Sequence, residues 1–90
     1  MSSLFFRELL GRRRYFGLYR GVVIENNDPL GMMRIKVGIP AMENFPHSWA
    51  SACVPPGVES IPEIHEGVWI EFEAGDLRFP VWVGTFVDPS

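Results

Sequence analysis

The fold is decided by residues 33–39, which read Met-Arg-Ile-Lys-Val-Gly-Ile and alternate apolar side chains with polar or small ones. Successive side chains of a β-strand point to opposite faces, so one face of this segment is apolar and the other carries Arg34 and Lys36. The segment therefore predicts a strand with one buried and one solvated face. Pro40 ends this strand, because proline has no amide hydrogen to donate to a neighbouring strand.

The same two-residue period recurs on both sides of this strand. The first strand is predicted over residues 16–25, and the third, fourth and fifth over residues 48–54, 67–74 and 81–86. These segments are rich in β-branched and aromatic residues. Glycines within a strand commonly mark a bulge or a sharp coil, so Gly17 and Gly21 predict one in the first strand. No helical segment separates the last two strands, which are expected to form a hairpin.

Turn-forming residues punctuate these strands. Asp28, Pro29 and Gly31 lie between the first two strands, and Gly75 and Asp76 lie between the last two. Proline presets φ, glycine accepts positive φ, and aspartate forms hydrogen bonds with the nearby backbone. We therefore interpret these five residues as structural turn residues.

Residues 55–66 predict an irregular loop between the third and fourth strands. Pro62 stands between Ile61 and Ile64, and we expect these two isoleucines to cap an open end of the sheet. A short helix in this stretch is the alternative.

Five short antiparallel strands, a long coiled first strand and a long loop before the fourth strand are the layout of a small all-β OB barrel. An SH3-like barrel is the second interpretation. The 90 residues suffice for one compact domain, since domains typically run to about 100–150 residues. Such a small core makes assembly with partners a reasonable expectation.

The first 14 residues form a separate N-terminal arm, helical or extended, before a barrel over residues 15–90. Its apolar residues recur at helical spacing, Ser2 or Ser3 can cap a helix and Gly11 ends it, so residues 2–10 predict a short helix. A helix of about eight residues is marginal alone in water, and its apolar face needs a cover. That cover is either its own barrel or a partner, and we favour the partner.

The charges divide along the chain. The net charge is −3, but residues 1–20 hold five arginines and one glutamate, whereas residues 21–90 hold three cations and ten acids. The N-terminal segment is therefore basic, and residues 21–90, which form most of the barrel, have a net charge of −7. This division suits contact between the arm and an acidic neighbour, and it opposes binding of a phosphate backbone to the barrel.

The sequence predicts neither an enzyme nor a cofactor or metal site. Cys53 is the single cysteine and is interpreted as a small buried residue in a strand. Glu71 and Glu73 are expected on a solvated strand face, where a carboxylate needs a stated perturbation before it counts as catalytic. No run approaches the roughly 18 apolar residues of a membrane span, so no membrane anchor is expected.

Trp69 and Trp82 alternate with the presumed core residues. They are either exposed at an interface or covered by the loop of residues 55–66 or by the arm, and both alternatives stay open. The candidate partner-binding residues are Leu4, Phe5, Phe6, Leu9, Leu10, Arg12, Arg13, Arg14, Trp69 and Trp82.

Several segments together resemble a known family. They are residues 19–23 (YRGVV), 27–30 (NDPL), 34–37 (RIKV), 67–72 (GVWIEF), 75–76 (GD) and 80–84 (PVWVG), with Trp49 and Pro62 between them. In order and spacing they are similar to the N-terminal OB domain of the central spike protein of contractile phage baseplates, and to VgrG-type secretion spikes. The resemblance covers roughly residues 15–87.

This resemblance implies a structural protein of the virion tail baseplate, made in the host cytoplasm, in a phage or a phage-derived injection system. It implies a homotrimer on the tail axis that connects a hub protein to a spike or needle. Family members usually continue into a triple-stranded β-helix. If the chain is complete at Ser90, the needle is expected to be another polypeptide.

Two other functions stay open at this point. OB barrels also bind single-stranded nucleic acid by stacking bases on surface aromatic residues, which is the main alternative. Nucleic acid is nonetheless an unfavoured partner, because the barrel is acidic. A remnant of a lysozyme-bearing spike is a weaker third hypothesis.

Overall fold

The computed structural model describes residues 13–87, which form five strands and one short 3₁₀ helix. The strands are β1 (Tyr19–Glu25), β2 (Ile35–Gly38), β3 (Ser48–Ala52), β4 (Gly67–Phe72) and β5 (Pro80–Phe86), and the 3₁₀ helix spans Glu73–Gly75. The predicted arm, apart from Arg13 and Arg14, lies outside the described residues.

The five strands close into a barrel in the order β1-β2-β3-β5-β4, with β4 paired back onto β1. Four of the five strand pairs are antiparallel, as predicted. The fifth pair, β3 with β5, is parallel and joins Ser51 to Val81 and Ala52 to Trp82. The predicted all-β, five-stranded OB barrel is confirmed, with this one parallel pair as the correction.

Alternation along β2 builds the centre of the core. Ile35 and Val37 are fully buried, whereas Lys36 between them is half-buried on the outer face. Fully buried side chains of the other strands complete the interior, namely Val23, Ala50, Val68 and Ile70. Burying a side chain the size of valine or isoleucine contributes about 1.5–3 kcal/mol, so these inward positions dominate the stability of the barrel.

Loops gather at the two ends of the barrel, one beyond each end of β4. The hairpin end comprises residues 39–47 and 73–79, where Phe72 packs edge-on against Phe45 and Tyr19 with ring centroids 6.0 and 5.6 Å away. The loop end comprises residues 26–34 and 53–66, where the side-chain amide of Asn26 donates to the Pro62 carbonyl at 3.1 Å.

The glycines of the first strand serve other purposes than a bulge. The register of β1 shifts between Val23 and Glu25, away from both glycines. Gly21 is needed for close packing, because a Cβ there would lie 2.8 Å from Cγ1 of Ile70. Gly17 precedes β1 and has a φ of 87°, a conformation that glycine adopts without steric cost.

The expectation that isoleucines cap the barrel is wrong. Ile61 and Ile64 are exposed, and Pro62 between them is buried instead. Backbone hydrogen bonds from Val23 to the Glu66 carbonyl and from His65 to the Val23 carbonyl attach this loop to β1. They fix the loop with its isoleucines outward. The stretch contains turns and no helix.

Cys53 is exposed, contrary to the prediction of a buried strand residue. β3 ends one residue earlier, at Ala52, so the alternation of the strand does not extend to Cys53.

Candidate partner-binding surface

Trp82 belongs to the core, which corrects its expected place on the outer face. It lies opposite Ile70, is 2% exposed, and donates from Nε1 to the Met33 carbonyl at 3.0 Å. The register of β4 with β5 shifts here, since Trp69 lies opposite Gly84 and Ile70 opposite Trp82. Val83 is therefore an extra residue, and a bulge of this kind changes which face the following side chains occupy.

Trp69 lies on the outer face, half-buried in a small aromatic cluster. Its ring is 4.8 Å from that of Phe86, and the Arg20 guanidinium lies 5.1 Å from Trp69 and 4.9 Å from Phe86. A cation held this close to two rings is attracted by their electron-rich faces. Trp69 can therefore offer a partner an edge and a charged neighbour, whereas Trp82 is almost fully buried.

The Asp28 carboxylate fixes the conformation of the β1–β2 loop, and we call this arrangement a carboxylate clamp. Asp28 accepts hydrogen bonds from the backbone N–H groups of Leu30, Met32 and Arg34 at 2.9, 2.9 and 3.2 Å. It also accepts two from the Arg34 guanidinium, at 3.1 Å from Nε and 2.8 Å from Nη2. These guanidinium bonds hold the pKa of Asp28 well below its ordinary value, against partial desolvation, which raises it.

This clamp displays two apolar side chains at the loop end. Leu30 is 64% exposed and Met32 is 62% exposed, although their backbone N–H groups are held by Asp28. A loop fixed in this way loses little conformational entropy when a partner covers it. Leu30 and Met32 are therefore strong candidates for partner contacts.

A second clamp shapes the hairpin end. Asp76 accepts hydrogen bonds from the Arg78 guanidinium, at 2.7 Å from Nη2 to Oδ2 and 3.1 Å from Nε to Oδ1. It also accepts one from the Arg78 backbone N–H at 3.0 Å. The guanidinium bonds, followed by the backbone bond, lower the pKa of Asp76 to about 2.

Aromatic side chains are exposed beside this second clamp. Phe79 is 51% exposed, with the Arg78 guanidinium 5.3 Å from its ring. Phe16 is 72% exposed and lies next to Gly75, where a Cβ would come within 3.0 Å of its ring. Both ends of the barrel therefore present apolar side chains on a braced turn.

The described residues match a family model for the type VI secretion system/phage-baseplate injector OB domain over residues 19–86. The match runs from the first residue of β1 to the last residue of β5. The chain belongs to this family. Its resemblance to the baseplate spike OB domain is thereby confirmed, and a structural role in the tail baseplate follows, in association with baseplate or spike components. No curated protein matches the chain.

Only some of the predicted partner-binding residues of the injector OB domain lie within the described residues. Arg13 and Arg14 are exposed, and the Arg13 guanidinium lies 5.4 Å from the Tyr15 ring. The other arm residues, Leu4, Phe5, Phe6, Leu9, Leu10 and Arg12, lie outside the described residues. Their role as partner contacts stays a prediction.

The sequence predicts Glu71 and Glu73 on a solvated face of this injector OB domain. Glu71 and Glu73 are both exposed, and residues 13–87 contain no group of three acidic, histidine or cysteine side chains that could hold a metal ion. The same residues include no helix of the length and hydrophobicity that crossing a bilayer requires.

The sequence did not lead us to predict the exposed apolar side chains at the two ends of the injector OB domain. Leu30 stands in a stretch of turn formers, where polar residues are usual, and that departure was the available signal. Phe16 was assigned to the first strand, but β1 begins only at Tyr19. Phe79 follows a charged residue in a turn and gave no periodic signal.

Proposed function

We propose that the chain is a non-catalytic adaptor at the centre of a contractile tail baseplate, where a homotrimer of its OB barrels joins the hub protein to the spike or needle. It acts in the virion after synthesis in the host cytoplasm. In this role it binds two different neighbouring proteins at the same time.

The observation that carries this proposal is the exposure of apolar side chains at both ends of one braced barrel. Leu30 and Met32 mark the loop end, and Phe16 and Phe79 mark the hairpin end. Exposed apolar groups with a polar surround typically mark protein interfaces. A domain that serves one partner needs one such surface, whereas a connector needs two.

The bracing supports the same role. The Asp28–Arg34 and Asp76–Arg78 pairs fix the turns through both side-chain and backbone hydrogen bonds. Bidentate contacts between arginine and a carboxylate add geometric definition as well as energy. Fixed turns suit a part that transmits force between rigid neighbours.

The loop-end contact is tested by Leu30→Glu, with Asn27→Glu as the matched control. Both variants add one negative charge to the same exposed loop, but only the first removes apolar surface. We expect Leu30→Glu to abolish co-purification with the hub or spike protein of the same tail, and Asn27→Glu to retain it. Equal binding by both variants would show that the loop end is not part of the proposed interface.

Single-stranded nucleic-acid binding is the second candidate, and one observation favours it. The Trp49 ring on the outer face has the Arg34 guanidinium at 5.2 Å and the Lys36 ammonium at 5.8 Å. Stacking sites of this kind also require a positive groove along the backbone path. Arg34 is already engaged by Asp28, and residues 21–90 have a net charge of −7 by the sequence.

Fluorescence anisotropy with labelled oligonucleotides across a salt series separates the two functions. We expect no saturable binding at 0.15 M salt. Tight binding that weakens steeply with added salt is the signature of phosphate contacts, and it would favour the second candidate over the adaptor.

A further inference from the structure

A groove of about 330 Å³ opens at the loop end, between β5 and the loop of residues 53–66. One wall is formed by Val83, Gly84 and Thr85, and the opposite wall includes Val58 and Ile61. The volume falls at the lower end of the roughly 300–1,000 Å³ range of binding pockets.

The groove exists because β5 extends past its parallel neighbour. β3 pairs with β5 only from Ser51 to Ala52, and the Cys53 N–H then donates to the Trp82 carbonyl at 2.9 Å before the chain departs. Beyond that point, the described register pairs of β5 are all with β4. A Cβ at Gly84 would meet no atom within 4 Å, so this side of β5 is accessible.

The groove is lined mainly by apolar side chains, with Glu66 as its one acidic lining residue. Val58 and Ile61 are both exposed, as is Ile64 next to them. The loop of residues 53–66 carries three glutamates, Glu59, Glu63 and Glu66, and no lysine or arginine. A fitting occupant therefore combines apolar side chains with flanking positive charge.

We propose that this groove receives the N-terminal arm of a neighbouring copy of the chain. Residues 1–12 lie outside the described structure, against only three residues at the C-terminus. They carry the apolar side chains of Leu4, Phe5, Phe6, Leu9 and Leu10, with Arg7 inside this set and Arg12 after it. The arm thus has both properties that the groove selects. The inference rests on the proposed homotrimer and specifies how its copies hold one another.

The arm is attached at the end of the barrel opposite to the groove, which favours a second copy as the donor. The described chain starts at the hairpin end, where the Tyr15 N–H donates to the Gly75 carbonyl at 2.9 Å. The groove lies at the loop end, beyond the far end of β4. An arm that starts at one end and a receptor at the other make a head-to-tail contact, which closes into a ring when the rotation allows it.

Engineered disulfides test this occupant in the full-length chain. In a Cys53→Ser background, Phe5→Cys in the arm is combined with Ile61→Cys in the groove. We expect oxidation to yield covalent dimers and trimers on a non-reducing gel. The matched control replaces Ile61→Cys by Glu71→Cys, an exposed position on β4 away from the groove, and is expected to yield monomers.

A disulfide within one chain would overturn the inference, because the chain's own arm would then fill the groove. Absence of any disulfide would overturn it as well. If either result is obtained while the trimer is intact, the proposed adaptor function is not contradicted. The two proposals can therefore fail independently.

A second variant measures the same contact without cysteine chemistry. Val58→Asp places a carboxylate in the apolar wall, and we expect trimer association to weaken by roughly tenfold or more. Circular dichroism establishes that the barrel is folded. An unchanged association constant in a folded variant would contradict the docking of the arm in this groove.

Discussion

At the residue scale, two aspartates determine how the ends of the barrel are presented. Asp28 and Asp76 each bind an arginine a few residues later and at least one backbone N–H in the same turn. The turn chemistry of both was predictable, because aspartate in a turn commonly bonds its local backbone. The arginine partners were not, since sequence spacing alone does not fix the direction of a side chain in a loop.

The Asp76 clamp predicts a specific dependence of stability on pH. Its pKa is about 2 in the folded chain and about 3.9 in an unfolded one. A lowered folded-state pKa contributes stability that is complete above the unfolded value and is lost as the pH falls toward the folded one. We expect thermal denaturation to show a melting-temperature difference between the wild type and Asp76→Asn that is constant above about pH 5 and shrinks toward pH 2.

Arg78→Gln is the control for this titration. It removes the group that lowers the pKa most, so its melting temperature should depend less on pH than that of the wild type over the same range. A difference between the wild type and Asp76→Asn that stays constant down to pH 2 would contradict the assignment.

At the element scale, the strands show which patterns a sequence can reveal. The alternation of residues 33–39 predicted β2 and its buried face because β2 itself contains no extra residue. The shift in its pairing with β1 lies between Val23 and Glu25 of β1, and its pairing with β3 is regular. β5 was also placed correctly as a strand, but Trp82 was assigned to the wrong face. One extra residue at Val83 reverses the alternation, and the adjacent Gly84 was the available signal, since a glycine within a strand commonly marks a bulge.

The two tryptophans provide a matched test of this bulge. Trp82→Ala empties a core position and removes the hydrogen bond to the Met33 carbonyl, so we expect it to lower the free energy of unfolding by about 3–5 kcal/mol. Trp69→Ala removes a half-buried ring on the outer face and should cost less than about 2 kcal/mol. Urea denaturation followed by circular dichroism measures both.

Equal costs for the two substitutions would show that the faces of β5 are assigned wrongly. If Trp82→Ala is too unstable to purify, Trp82→Phe keeps most of the ring and removes the hydrogen bond. It is expected to cost about 1–3 kcal/mol, since the Met33 carbonyl loses its partner.

At the scale of the whole molecule, the barrel has a braced apolar surface at each end, which is the basis of the proposed connector role. The overall class followed from strand number, turn positions and loop lengths, because these set the topology of a small barrel. The contact surface was harder to predict. Leu30, Met32, Phe16 and Phe79 become exposed only through the way the turns fold, and the apolar arm residues lie outside the described part of the chain.

The family membership and the apolar surface at each end of the barrel both support assembly of the chain with other proteins. An isolated barrel of this size has a modest core, and contact with neighbours would stabilise it by mass action. The stoichiometry of the assembly and the identity of its partners can both be measured by mass.

Native mass spectrometry of the full-length chain, co-expressed with the hub and spike proteins of the same tail, is the most direct test. The account predicts one complex that contains three copies of this chain and both neighbours. A stable monomer that binds neither neighbour would contradict it.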